Sequence, residues 1–288
     1  MKQLTVPMIR AVCYADVFGY PLGVDELKKF QIQTPASPAG RQNSKQVSQI
    51  QGYVVLRGRE GLVSLRKQRE SCSPLKLSIA RNACRFLRCL PTIQLVAVTG
   101  SVAMCNADEK DDIDFLIVTK TGWLWTTRFL VVVWLDICGM RRKPDNKNVT
   151  NKICVNMFVD DAHMVVPEKE RDVFSAHEVV QARILWARGD TNERFYQGNE
   201  WVREYLPHVQ FSMFNFQNHV PYHLPFTIYL LSFLNPVEPF FQFVQLTYMK
   251  HRRTSEVIQK GYLRFHPNDA RTWVLREYRK RLRQVGLE

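Results

Sequence analysis

The sequence predicts an α/β chain of the α+β kind, with a small mixed sheet in the middle, a helix-and-hairpin module before it and a helical region after it. Three observations carry this. Apolar runs of strand length at Ile93 to Val98, Phe115 to Val118 and Lys152 to Val159 fall within one central stretch. Segments with apolar residues at helical spacing flank them, at 6–31, 74–90 and 168–205. Hydrophobic residues form 45% of the 288, enough to bury a core in two or three domains. The expected divisions are 1–70, 74–166 and 167–288.

At the start, Met8, Ile9, Val12, Cys13, Val17 and Phe18 recur at helical spacing, and Gly19-Tyr20-Pro21 breaks the pattern. Gly23 to Leu27 opens a second helix with acidic residues in its first turn. Residues 33–44 are a loop by composition. A short helix is expected from Lys45 to Gln51, then strands at Tyr53–Leu56 and Leu62–Leu65 around the Gly-flanked turn Arg57 to Gly61. Three helices followed by a hairpin is the order of a winged helix. Lys45, Arg57 and Arg59 are the residues such a module would turn to DNA, although a single Lys on a short third helix favours plain packing.

Residues 74–90 read as an amphipathic helix, with Leu77, Ala80, Cys84, Leu87 and Leu90 on one side and Lys76, Arg81, Arg85 and Arg88 mostly on a solvated face. The first central strand then stops at Thr99-Gly100-Ser101. After a polar, acidic loop, Asp112-Ile113-Asp114 leads into the second strand. Side chains at i and i+2 of a strand share a face, so Asp112 and Asp114 project together while Ile113 points into the core. Two carboxylates held that close repel unless a cation lies between them. Gly100 lets a ligand approach the backbone, and Ser101 offers a hydroxyl and an N–H. Phosphate beside a divalent metal is the natural reading.

These residues resemble the nucleotidyltransferase superfamily of DNA polymerase beta-like fold. The pattern is an apolar residue, Gly100-Ser101, the ten residues 102–111, then Asp112-Ile113-Asp114. The stretch Tyr14 to Leu22 also looks like the opening of a winged-helix segment that precedes this domain in some bacterial and archaeal proteins. The resemblance implies that Gly100 and Ser101 hold the β and γ phosphates of a nucleoside triphosphate and that Asp112 and Asp114 hold Mg2+ or Mn2+. It also implies a third carboxylate on the next strand. The matching position is Asn156, which can accept a hydrogen bond but brings no charge. Asp160 and Asp161, just beyond, are the candidates to replace it.

Trp123 to Leu135 is too short and too charged at its ends, with Arg128 and Asp136, to span a membrane, and reads as a helix on the sheet ended by Gly139. Arg141 to Pro144 is a basic loop. One long helix is expected from Glu168 to Arg188, with His177 and Glu178 as a satisfied polar pair, and another from Asn192 to Tyr205. Residues 206–237 hold no Lys, Arg, Asp or Glu, and the prolines there favour a buried helical unit over a membrane-surface segment. His219 and His223 have metal-ligand spacing, but Pro221 between them opposes a shared helix face. A basic helix, Arg271 to Gln284, closes the reading.

The net charge of +13 is uneven. Residues 1–90 carry 15 Lys and Arg against 5 Asp and Glu, residues 91–249 carry 14 against 18, and residues 250–288 carry 11 against 4. Basic ends suit a polyanion, either nucleic acid or the triphosphate itself. Seven cysteines with no C-x-x-C pair, and no apolar leader at Met1 to Pro7, give a reducing cytoplasm as the expected setting. The expected function is transfer of a nucleoside monophosphate to an acceptor hydroxyl. The rival is a nucleotide-sensing or nucleic-acid-binding regulator whose site only binds.

Overall fold

The computed structural model describes residues 4–33, 46–143, 146, 148–210, 237–250, 257–264 and 270–288. It is a mixed α/β fold with a three-stranded and a six-stranded sheet. Helix α1, Val6–Val17, ends where the apolar spacing ends. Gly19, at φ +58, and Tyr20 donate their N–H groups back to Asp16 and Ala15, which satisfies carbonyls the helix leaves open. Strand β1, Leu22–Gly23, leads into α2, Val24–Lys29, where Glu26 folds back to accept from the Gly23 N–H at 2.8 Å.

The next elements are displaced from the sequence expectation. Val47–Ile50, expected as helix, is strand β2, and it pairs with β3, Tyr53–Leu56. Gln51 and Gly52 both have positive φ, the geometry of a tight hairpin turn. Leu62–Leu65, expected as a strand, is instead the first turn of α3, Leu62–Leu87. Pro74 marked the expected helix start because proline suits a first turn. Here it sits on the exposed side inside the helix, where only one backbone bond is lost. Lys45, the expected DNA-reading lysine, lies outside the described residues.

The six-stranded sheet contains β4 (Ile93–Val98), β5 (Ile113–Thr119), β6 (Ile153–Asp160), β7 (Arg183–Ala187), β8 (Val257–Gln259) and β9 (Tyr262–Arg264), in the order β7-β4-β5-β6-β9-β8. Only β5 and β6 are parallel. Helix α4 (Gly100–Ala103) follows β4 directly, and α5 (Leu124–Ile137) follows β5 and ends at Gly139 as expected. The region after 167 is less helical than its spacing suggested. Val173–Gln181 is helix α6, but Arg183–Ala187 pairs antiparallel with β4 as β7, so edge pairing overrides the helical spacing there. Strands β8 and β9 extend the sheet beyond β6. Helices α7 (Thr191–Gly198), α8 (Val237–Lys250) and α9 (Ala270–Gln284) complete the described α-helices, and Glu200–Glu204, expected to continue one helix from Asn192, is a separate 3-10 turn. Glu238 of α8 caps α5 by accepting from the Trp125 and Thr126 N–H groups at 2.7 and 2.9 Å. Most of the charge-free stretch, residues 211–236 with His219 and His223, lies outside the described residues.

Each face of the large sheet is covered. Val96, Val98, Phe115, Ile117 and Phe158 pack under α3, α5 and α8. Leu95, Ala97, Leu116, Val118 and Val159 pack under α1, α6 and α9. The second core also takes in Leu22, Val47, Val54 and Leu56, so the small sheet shares its interior with the large one. Arg66 ties α3, whose later turns pack on the large sheet, to the small-sheet module. Its guanidinium contacts Glu26 at 2.7 and 3.0 Å, Glu70 at 2.7 Å and the Pro21 carbonyl, and lies 4.0 Å over the Tyr20 ring. No helix among the described residues is long and apolar enough to cross a membrane.

Candidate functional site

Residues 112, 114, 116 and 118 alternate with the core-facing Ile113, Phe115 and Ile117, so both aspartates share the sheet face that lies under α1 and α6. Ligand atoms of Asp112, Asp114 and Cys154 lie within 4.8 Å of one another. Gly100 comes to the same point. A Cβ at Gly100 would stand 3.0 Å from Asp114 Oδ2, and the backbone there has φ +63, so a side chain is doubly disfavoured. The Thr99 N–H bonds the Asp114 carbonyl at 3.0 Å, which locks the turn to the acid-bearing strand. The Ser101 hydroxyl donates to Asp111 at 3.3 Å.

The third strand arrives in a different register from the one expected. Cys154 stands opposite Asp114, and a bulge follows before Leu116 meets Met157. Cys154, rather than Asn156, is the residue paired with Asp114, and Asn156, in the bulge, is buried in the wall of a cavity of about 530 Å3 with Thr99 and Glu178. Asp160 and Asp161 cannot replace a carboxylate at the cluster. Asp160 pairs with Thr119, five residues or roughly 17 Å along the strand from the Asp114 level. It accepts from His163 at 2.6 Å, and Asp161 accepts from the Thr121 hydroxyl at 2.6 Å.

The electrostatics are those of two acids sharing one site. Burial pushes Asp114 up to about 7, and the charge of Asp112 adds to it, while the Cys154 thiol and Arg142 pull it down. Burial also raises the Cys154 thiol far above its ordinary value, with Asp114 and Asp112 reinforcing the effect. Arg142, read in the sequence as part of a basic loop, meets Asp112 at 2.7 Å. Lys76, expected on a solvated face, is buried. Its ammonium donates to the carbonyls of Glu109 and Asp111 at 2.9 and 2.6 Å and to Asn151 Oδ1 at 2.9 Å, which anchors the loop entering β5.

His177 and Glu178 do not pair. Successive helix residues point about 100° apart, and these two diverge. His177 is buried, stacked at 3.9 Å on Tyr14, and donates from Nδ1 to the Val173 carbonyl at 2.7 Å. Glu178 projects into a cleft. Its side chain is open to the cleft yet surrounded by protein, and that enclosure pushes its carboxyl up to about 7 against the pull of Arg264. Glu178 borders the larger cavity and a second one of about 250 Å3 that is also walled by Gly100, Ser101 and Asp111.

Known protein families, the curated proteins and the solved structures contain no match to this chain.

Cys154, Arg142, Lys76 and Glu178 are the site residues that sequence reasoning missed. The helical spacing of 177 and 178 could have separated that pair. The strand register and the reach of Arg142 had no local signal.

Proposed function

We propose that the chain is a metal-dependent nucleotidyltransferase that moves a nucleoside monophosphate from a nucleoside triphosphate to an acceptor hydroxyl. One observation carries this: two strand carboxylates on one face, with the backbone of a left-handed glycine against the second of them. Thr99-Gly100-Ser101 leaves room for a phosphate tail where any side chain would intrude. The carboxylate oxygens of Asp112 and Asp114 suit a hard ion such as Mg2+ or Mn2+, whereas the Cys154 thiol does not. When bound, such an ion neutralises charge on the triphosphate. Arg142 brings a further positive group beside Asp112, and the cavity of about 530 Å3 has room for a nucleoside. Nearly all the rate gain would come from positioning and charge.

Two of the three expected helices and a hairpin lie among the described residues of 6–56, which supports in part a winged-helix-like module ahead of the transferase domain. Incubation with labelled triphosphates, Mn2+ and cell extract tests the reading. Label should pass to an acceptor with wild type and not with Asp112→Ala, and equal, background labelling by both would sink it.

The lack of a carboxylate opposite Asp114 favours a second reading, a regulator that binds nucleotide without turnover. Calorimetry with triphosphate and Mn2+, run beside the labelling assay, separates the two. Nucleic acid as its partner would draw on Arg57 and Arg59, but Arg59 already bonds Asp16 at 3.0 Å. Salt-dependent duplex binding that Arg57→Gln weakens would support that role.

A further inference from the structure

On the nucleotide reading a divalent ion lies on Asp112 and Asp114, and one neighbouring group is left without a part. Cys154 stands opposite Asp114 on β6, with its sulfur and an oxygen of each aspartate within 4.8 Å of one another. A lone cysteine is commonly a small packing residue, as Cys13 and Cys84 are in the two apolar cores. Cys154 is placed differently, half-buried and turned to the acids. The carboxylates next along the chain are committed elsewhere. Asp111 accepts from the Ser101 hydroxyl and the Asp108 N–H, and Asp160 and Asp161 stand level with or beyond Thr119 at the far end of the strand pair. Among the described residues, the third ligand atom turned to the pair belongs to a thiol.

Two observations on other elements mark this point as a seat for a cation. Arg142, from the loop after α5, sets Nη1 2.7 Å from Asp112 Oδ2 and 3.9 Å from Cys154 Sγ, so carboxylate and thiol already converge on one positive group. Gly100 brings bare backbone to the other aspartate, where a Cβ would stand 3.0 Å from Oδ2 and close the space. A hard ion such as Mg2+ gains little from sulfur. Zinc takes carboxylate and thiolate alike, with bonds of about 2.0 Å to oxygen and 2.3 Å to sulfur, and in reactive sites it keeps a further position open beside three protein ligands. We propose that Cys154 is the third protein ligand of this site, and that the site therefore takes a thiophilic divalent cation, zinc above magnesium. The proposal rests on Asp112 and Asp114 being metal ligands, as the nucleotide reading has them. The sulfur–metal bond forms as the S–H bond breaks, and that proton passes to solvent. Zinc, like magnesium, neutralises phosphate charge as a Lewis acid.

The test adds Co2+, a coloured stand-in for Zn2+, to the reduced full chain without nucleotide. Wild type should show a saturable sulfur-to-cobalt charge-transfer band in the near ultraviolet. Zn2+ should remove it at equal concentration, and Mg2+ in large excess should not. Cys154→Ser keeps the shape of the side chain and the other cysteines. It should lose the band and more than about tenfold in Zn2+ affinity, since even a group that only supports a ligand is worth that much. The melting temperature of the metal-free chain should hold in this variant. Asp114→Asn should lose the band as well, and Cys154→Asp should bind Mg2+ more tightly than wild type. Absence of the band, or its survival in Cys154→Ser or Asp114→Asn, overturns Cys154 as a ligand of this site, even where Mg2+ and triphosphate bind together. Displacement of Co2+ by Mg2+ as readily as by Zn2+ overturns the preference. A zinc-loaded chain that shows the band but binds no triphosphate upholds the metal site and overturns the nucleotide reading.

Discussion

Three residues concentrate the chemistry of the site. Gly100 has a left-handed backbone and stands where a Cβ would touch Asp114, so Gly100→Ala should cost about 1–2 kcal/mol of stability from the backbone alone. Its larger effect should be on Mn2+ and triphosphate binding, measured by calorimetry. Lys76 holds two carbonyls of the acidic loop and the Asn151 Oδ1 from inside the protein. Lys76→Met keeps the stem but strands those acceptors, and urea unfolding should show a loss of about 3 kcal/mol. His177 gives a pH dependence. Burial holds it down to about 4 from an ordinary 6.5, so above pH 6.5 it is neutral in both folded and unfolded chains. As pH falls from 6.5 towards 4, only the unfolded chain takes up the proton, and about 3 kcal/mol of stability is lost. His177→Phe keeps the stacked ring, and denaturation followed across that range should show a flatter slope.

Elements were legible where a local signal matched the tertiary demand. Helix α1 and its glycine stop, the three central strands and α5 follow from apolar spacing that the packing also needs. Val47–Ile50 and Arg183–Ala187 failed for a shared reason: each is a short segment whose partner strand decides its state, and that partner was not visible locally. The hairpin turn is a case where two left-handed residues, Gln51 and Gly52, set the pairing. Gly52 has φ +83 with open space around it, so Gly52→Val costs backbone strain without a clash. The expected loss is about 1–2 kcal/mol by thermal melting. In the candidate site, the alternation of Asp112 and Asp114 was readable from the sequence. The register of β6 was not, because a bulge set between Asp114 and Leu116 decides which side chain faces them.

At the scale of the whole molecule, residues far apart in sequence close one core. Asp16, buried in α1, accepts from Arg59 at 3.0 Å and from Arg281 of α9 at 2.7 Å, so the small sheet and the last helix meet on one carboxylate. Asp16→Ala removes both contacts, but Arg59 can reach water and Arg281 keeps Glu277 at 3.1 Å, so the loss should be about 1–3 kcal/mol by urea unfolding. Urea unfolding followed by far-UV dichroism and by tryptophan emission should give one coincident transition, because the cores interlock across the sheet. The same pairing sets a schedule for birth on the ribosome. Asp16 and Arg281 are 265 residues apart, and at cellular elongation rates roughly tens of seconds separate their emergence. Through that interval α1, with every residue from Ile9 to Val17 destined for the interior, waits without its final neighbour, a mainly apolar ribbon that chaperones have time to find.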